Sequence, residues 1–194
     1  MRGAISRFFA VSRNSRIALF VARRFARRDD GAAMVEFAIV VVPFLALLFA
    51  IIETALVFFA GQVLETAVAD SARLIMTGQA QTQNLNATTF KTKVCERVFG
   101  LFDCQSGIKV DVRTYTSFTS ANTQKPIDVD GKLDTTGFAF QPGNPGDIVV
   151  VRMVYEWPTF VRTFGLNVSD LANGNRVIMA TAAFRNEPYA VTSN

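Results

Sequence analysis

The sequence predicts an α+β protein: a long N-terminal transmembrane helix continuing into an extracytoplasmic domain with a small antiparallel sheet. Three observations carry that prediction. An apolar run from Phe37 to Ala60 is long enough to cross a bilayer. A helical stripe follows it through residues 62–77. Strand patterns then recur near 108–116, 148–157 and 176–185.

The apolar run reads FAIVVVPFLALLFAIIETALVFFA, 24 residues of which sixteen are Leu, Ile, Val or Phe. At 1.5 Å of rise per residue it would span about 36 Å, enough for a hydrocarbon core of roughly 30 Å. Those sixteen side chains favour insertion by about 5–10 kcal/mol, and an ionised Glu53 at mid-depth would oppose it by about 3 kcal/mol. Insertion wins. No polar face of helical period runs through the segment, so a buried soluble helix fits it poorly. Pro43 lacks an N–H and crowds the carbonyl of Ile39, which predicts a kink that membrane helices tolerate.

Charge sets the orientation. Residues 1–30 hold eight Arg against Asp29 and Asp30, a net of +6, whereas the rest holds 12 basic and 14 acidic residues, a net of −2. By the positive-inside rule the N-terminus is cytoplasmic and residues beyond about 62 lie outside. The basicity belongs to the tail and not to a folded face, so no nucleic-acid partner is expected. The expected divisions are a basic leader, 1–31, a transmembrane helix, 32–61, and an extracytoplasmic domain, 62–194.

The chain has no His, which excludes Ser-His-Asp and Cys-His catalysis and His-bearing zinc sites. No paired catalytic carboxylate or Gly-rich phosphate loop stands out, so neither enzyme activity, metal nor cofactor is expected. Asp128, Asp130 and Asp134 in DVDGKLD form a fragment of a calcium loop without its later bidentate Glu, and read as an exposed acidic turn. Cys95 and Cys104 would lie in an oxidising compartment, where a disulfide closing a loop of about ten residues can persist; two unpaired buried thiols are the alternative.

Beyond the bilayer, Val63, Leu64, Ala67, Val68, Leu74 and Ile75 share one helical side, with Gln62, Glu65, Thr66, Asp70 and Arg73 opposite. Gly78 can cap that helix. Residues 79–88 read as a loop. A second helix is expected at about 89–99 from Phe90, Val94 and Val98, ending at Gly100. Alternation over 108–116 predicts a half-buried strand, IVVVRMVYEW a second stopped by Pro158, and RVIMATAAFR a third for which helix competes. Residues 119–146 read as a long loop rich in Ser, Thr, Asn, Gly and Pro.

The junction RRDDGAAMVEF at residues 27–37 resembles a prepilin processing site: a glycine, Gly31, with glutamate, Glu36, at the fifth following position and then an aromatic, Phe37. The stretch from Gly31 to Gln79 resembles the TadE-like proteins of tight-adherence (Flp-type) pili. The resemblance rests on GAA-x-VEF, on Pro43 early and Glu53 late in the helix, and on the small-residue helix that follows. Phe184 to Pro188 also resembles that family's closing strand and tail. The 31-residue leader is longer than the family's short cytoplasmic tail.

The resemblance implies a pilin-like fold and a pseudopilin, a minor subunit needed for pilus assembly and adhesion, placed in the bacterial inner membrane. It implies cleavage between Gly31 and Ala32 by the prepilin peptidase, with other pilins and pseudopilins, the inner-membrane assembly platform and membrane lipid as partners. Glu36, Phe37, Pro43 and Glu53 would serve assembly and helix pairing. Glu36 would either pair with the α-ammonium of a cleaved Ala32 or sit solvated among headgroups. Glu53 would either face a partner or reach to the outer interface. Two rivals remain: an uncleaved, signal-anchored binding module, and a secreted enzyme released after Ala69.

Overall fold

The computed structural model describes residues 29–98, 100, 102–160 and 169–190, so most of the Arg-rich leader lies outside the described residues. The chain forms two compact units, 1–48 and 49–194. The long helix α1, Asp29–Met76, contributes to both.

In the first unit α1 carries apolar side chains on all sides and buries none of them. Phe37, Val40, Phe44 and Leu47 are all exposed. Such a helix has no inside, which in water would be a large cost and in lipid none. The helix runs on through Pro43.

In the second unit α1 acquires a face. Glu53, Val57, Ala60, Leu64, Ala67, Ser71 and Ile75 are buried, at spacings of three and four, while Gln62, Glu65, Thr66, Asp70 and Arg73 stay exposed. The predicted stripe is therefore real, and it begins at Glu53, within the apolar run. It packs on a three-stranded antiparallel sheet of β1 (Lys109–Tyr115), β2 (Ile148–Trp157) and β3 (Arg176–Arg185), in that order. Register sets Val112 opposite Val151, and Val151 opposite Ala182. These residues join Leu64, Val68 and Ile75 in one core.

The ends of β2 and β3 fall where the patterns place them. Other expectations shift. Helix α2, Gln79–Thr82, occupies part of the expected loop and buries Ala80. Helix α3 spans Ala87–Cys95 instead of 89–99. It starts early because Asn86 and Thr89 form a reciprocal capping box, and it stops at the half-cystine. Helix α4, Cys104–Gly107, lies where the sequence pattern predicts no element, and it is capped by the Asp103 side chain.

The larger correction concerns β1. The alternation places its polar side toward solvent, yet Asp111 is 1% exposed. The cover is the long segment 119–146, which lies along the free edge of β1: Val112 N donates to Ala139 O and Gln141 N donates to Val112 O, both at 2.8 Å. Ile127, Leu133 and Phe138 pack with Val154, Leu171 and Val177 as a second, smaller core. A strand edge that would otherwise invite pairing is thereby covered.

Within this cover, Asp111 accepts from Arg152 Nε and from Arg113 Nε, each at 3.0 Å, and from Ala139 N at 2.9 Å. Arg152, 5% exposed, also lies over the Phe138 ring, 5.8 Å from its centroid. A buried guanidinium that loses its carboxylate is left uncompensated, at a cost of about 3–5 kcal/mol. Asp111→Ala is expected to destabilise the second unit by that amount, and Asp111→Asn by less because it keeps the acceptor. Denaturant unfolding of the detergent-solubilised full chain measures both.

Candidate functional site

The residues singled out by sequence fall at two places along α1. Gly31, Ala32, Glu36, Phe37 and Pro43 belong to the first unit. Helix α1 starts at Asp29, so the Gly31–Ala32 bond lies within its opening turns. Ala32, Glu36 and Phe37 are exposed, Phe37 at 68%.

Glu53 belongs to the second unit and is built differently. It is only 7% exposed. Its Oε1 accepts a hydrogen bond from the backbone N–H of Phe160 at 2.6 Å. A carboxylate is the strongest acceptor available to a peptide N–H, and such charge-assisted bonds are about twice as strong as neutral ones. Glu53 therefore ties α1 to the chain just after β2, across 107 residues of sequence. Thr54, its polar neighbour, satisfies its hydroxyl locally on Ala50 O at 2.8 Å. Each polar group in this stretch of an otherwise apolar helix has a partner, as a low-dielectric setting demands.

At the other end of α1 the C-terminal tail completes the helix. Gly78 takes φ 77°, and a Cβ there would lie 2.3 Å from the Tyr189 ring. Glycine is required on both counts. Glu187 N donates to Met76 O at 2.8 Å, satisfying a carbonyl that the helix cannot pair itself. Asn186, 3% exposed, donates from its side chain to Pro142 O and Asn144 O. The Tyr189 hydroxyl donates to Gly143 O at 3.1 Å, and burial raises its pKa, with Asp147 adding to the effect. Sequence reasoning missed Glu187 and Tyr189 as the residues that complete the end of the helix, and Asn186 as a buried anchor of the tail, since no local pattern marks them.

Cys95 and Cys104 form a disulfide with a Cα separation of 5.6 Å. The bridge closes a short excursion between α3 and α4. Lys91 Nζ crosses it to Gln105 O at 2.7 Å. Partial burial lowers the Lys91 pKa, and the charge of Lys109 lowers it further. Asp103 is held below the usual carboxylate range by hydrogen bonds from Ser106.

The acidic turn is satisfied by its own backbone: Asp128 Oδ1 accepts from Asp130 N and Lys132 N. Among the described residues no three His, Cys, Asp or Glu converge as a metal set. The arrangement can hold a domain on a helix and present the rest of that helix bare.

Residues 31–73 match the family model described as TadE-like protein. That match suggests an association with the Tad pilus machinery, in a family typically without enzymatic activity. The one N-terminal apolar helix is consistent with single-pass membrane anchoring. No curated protein and no solved structure matches the chain significantly.

Reducing the disulfide is expected to lower stability by about 2.5–3 kcal/mol, the entropy of closing a ten-residue loop. Thermal unfolding with and without a phosphine reductant checks this. Alkylation of both thiols in unfolded, unreduced protein would contradict it.

Proposed function

We propose, from the TadE-like domain at residues 31–73, that this chain is a pseudopilin, a minor pilin-like subunit for assembly of a tight-adherence pilus that supports surface adhesion. The observation that carries the reading is the division of α1. Its N-terminal part is apolar and exposed on every side, and its C-terminal part is one wall of a folded domain. A helix of the first kind packs equally well into lipid or against like helices of other subunits. That is what a subunit passing from membrane to filament requires.

The junction supplies the switch between those states. The eight leader Arg would hold the N-terminus at the cytoplasmic face, where anionic lipid attracts each by about 1 kcal/mol. Dragging them through the bilayer would cost far more. Cleavage between Gly31 and Ala32 by a prepilin peptidase removes them and takes the chain from net +4 to net −2. Because Gly31 is a poor helix residue, by about 1 kcal/mol relative to Ala, the opening turns of α1 can unwind there to reach a protease. The new ammonium of Ala32 and the carboxylate of Glu36 then complete one another within or between subunits. Phe37 and Pro43 lie on the surface that meets neighbouring helices.

On this reading the chain is a single-pass inner-membrane protein with its domain, from about residue 62, outside. Its partners are the prepilin peptidase, other pilins and pseudopilins, the inner-membrane assembly platform and lipid. One observation favours the rival of an uncleaved, signal-anchored module: the Gly31–Ala32 bond is helical, and a peptidase must open it.

N-terminal sequencing of the protein recovered from membranes separates the two. The pseudopilin reading expects Ala32 in the native protein, and full-length chain retained in the inner membrane for Gly31→Leu. Met1 at the N-terminus of the native protein, with normal piliation, would contradict it.

A further inference from the structure

Among the described residues, the large apolar side chains that stay exposed lie on α1 between Met34 and Phe59, with three exceptions: Phe118, Val129 and Phe160. Phe160, 77% exposed, differs from the other two in where it is held. Its N–H is bound to Glu53 Oε1 at 2.6 Å, so its backbone lies against the turn of α1 at which the buried stripe begins. The preceding residue is fixed too: Thr159, 6% exposed, donates its hydroxyl to Gly174 O. Next along α1, Leu56, Phe58 and Phe59 are exposed as well.

The level of that turn follows from helix length. About twenty residues cross a hydrocarbon core of roughly 30 Å. Counted from Ala32 the outer boundary falls at Ile51, and counted from Phe37 it falls at Leu56. Both place Glu53 within one turn of it. A peptide N–H at that depth has little water to bind, and the Glu53 carboxylate supplies the acceptor.

We propose that Phe160 enters the outer leaflet, giving the domain a second membrane contact beside its helix, with Glu53 as the residue that positions it. The occupant of this surface is lipid and not another protein, because Phe160 lies at the level where α1 itself leaves the hydrocarbon. This inference rests on the membrane reading of α1.

The test uses the full-length chain in phosphatidylcholine–phosphatidylglycerol vesicles containing, in separate samples, lipid spin-labelled near the headgroup, which reads Phe160 and Val129, and lipid spin-labelled deep in the acyl chain, which reads Leu47. An environment-sensitive thiol dye is attached to Phe160→Cys, to Val129→Cys and to Leu47→Cys, the native cysteines being disulfide-bonded. Spin-labelled lipid is expected to quench the dye at Phe160 at least threefold more than at Val129. Glu53→Leu is expected to halve that quenching, and Glu53→Gln, which keeps an acceptor oxygen, to preserve most of it.

Quenching at Phe160 no greater than at Val129 overturns the proposal, as does a dye shielded from aqueous iodide yet unquenched by lipid, which marks a protein partner. Unchanged quenching in Glu53→Leu overturns the positioning role. Absence of quenching at Leu47 as well would overturn the membrane reading itself, whereas loss at Phe160 alone would leave it standing.

Discussion

On the membrane reading of α1, everything in this molecule depends on one helix having to satisfy two solvents. From Phe37 to Ile52 the side chains of α1 are apolar without regard to face; from Glu53 onward one side is a buried stripe, and from Gln62 the opposite side turns polar. The sorting changes at a carboxylate, which an apolar medium tolerates only when it is paired. Glu53 meets that demand by accepting the Phe160 N–H, so the residue that most disfavours insertion also marks where the domain takes hold.

The domain then closes around the helix from its far end. Gly78 turns the chain, and the tail returns from β3 to lay Tyr189 on that glycine and to bond the last carbonyl of α1, that of Met76. The segment 119–146 covers the other face of the sheet and buries the Asp111–Arg152 pair. Three strands alone would be a marginal sheet. Here α1 packs on one face, the long segment covers the second, and the same segment caps the edge of β1.

Local periodicity made much of this legible. The stripe of α1, the limits of β2 and β3 and the sides of residues 62–75 all follow from spacing within a few residues. What spacing could not give is contact between distant segments. Asp111 reads as a solvent-facing strand residue until the cover supplied from residues 127–138 is known. The capping box of α3 is hard to read from sequence because its third helical position holds Thr89 where Glu or Gln is usual. The sequence leaves Glu53 either facing a partner or reaching to the outer interface; the bond it accepts from the Phe160 backbone amide carries no sequence signature.

The central claim is that along α1 the lipid-facing surface gives way to the domain-facing stripe and its polar back between Glu53 and Gln62. Single cysteines at Val42, Leu47, Gln62, Thr66 and Asp70, probed with a membrane-impermeant maleimide on spheroplasts, test it most directly. The account predicts no labelling at Val42 and Leu47 until detergent is added, and ready labelling from outside at Gln62, Thr66 and Asp70. Equal labelling at all five positions, or protection reaching as far as Thr66, would contradict it.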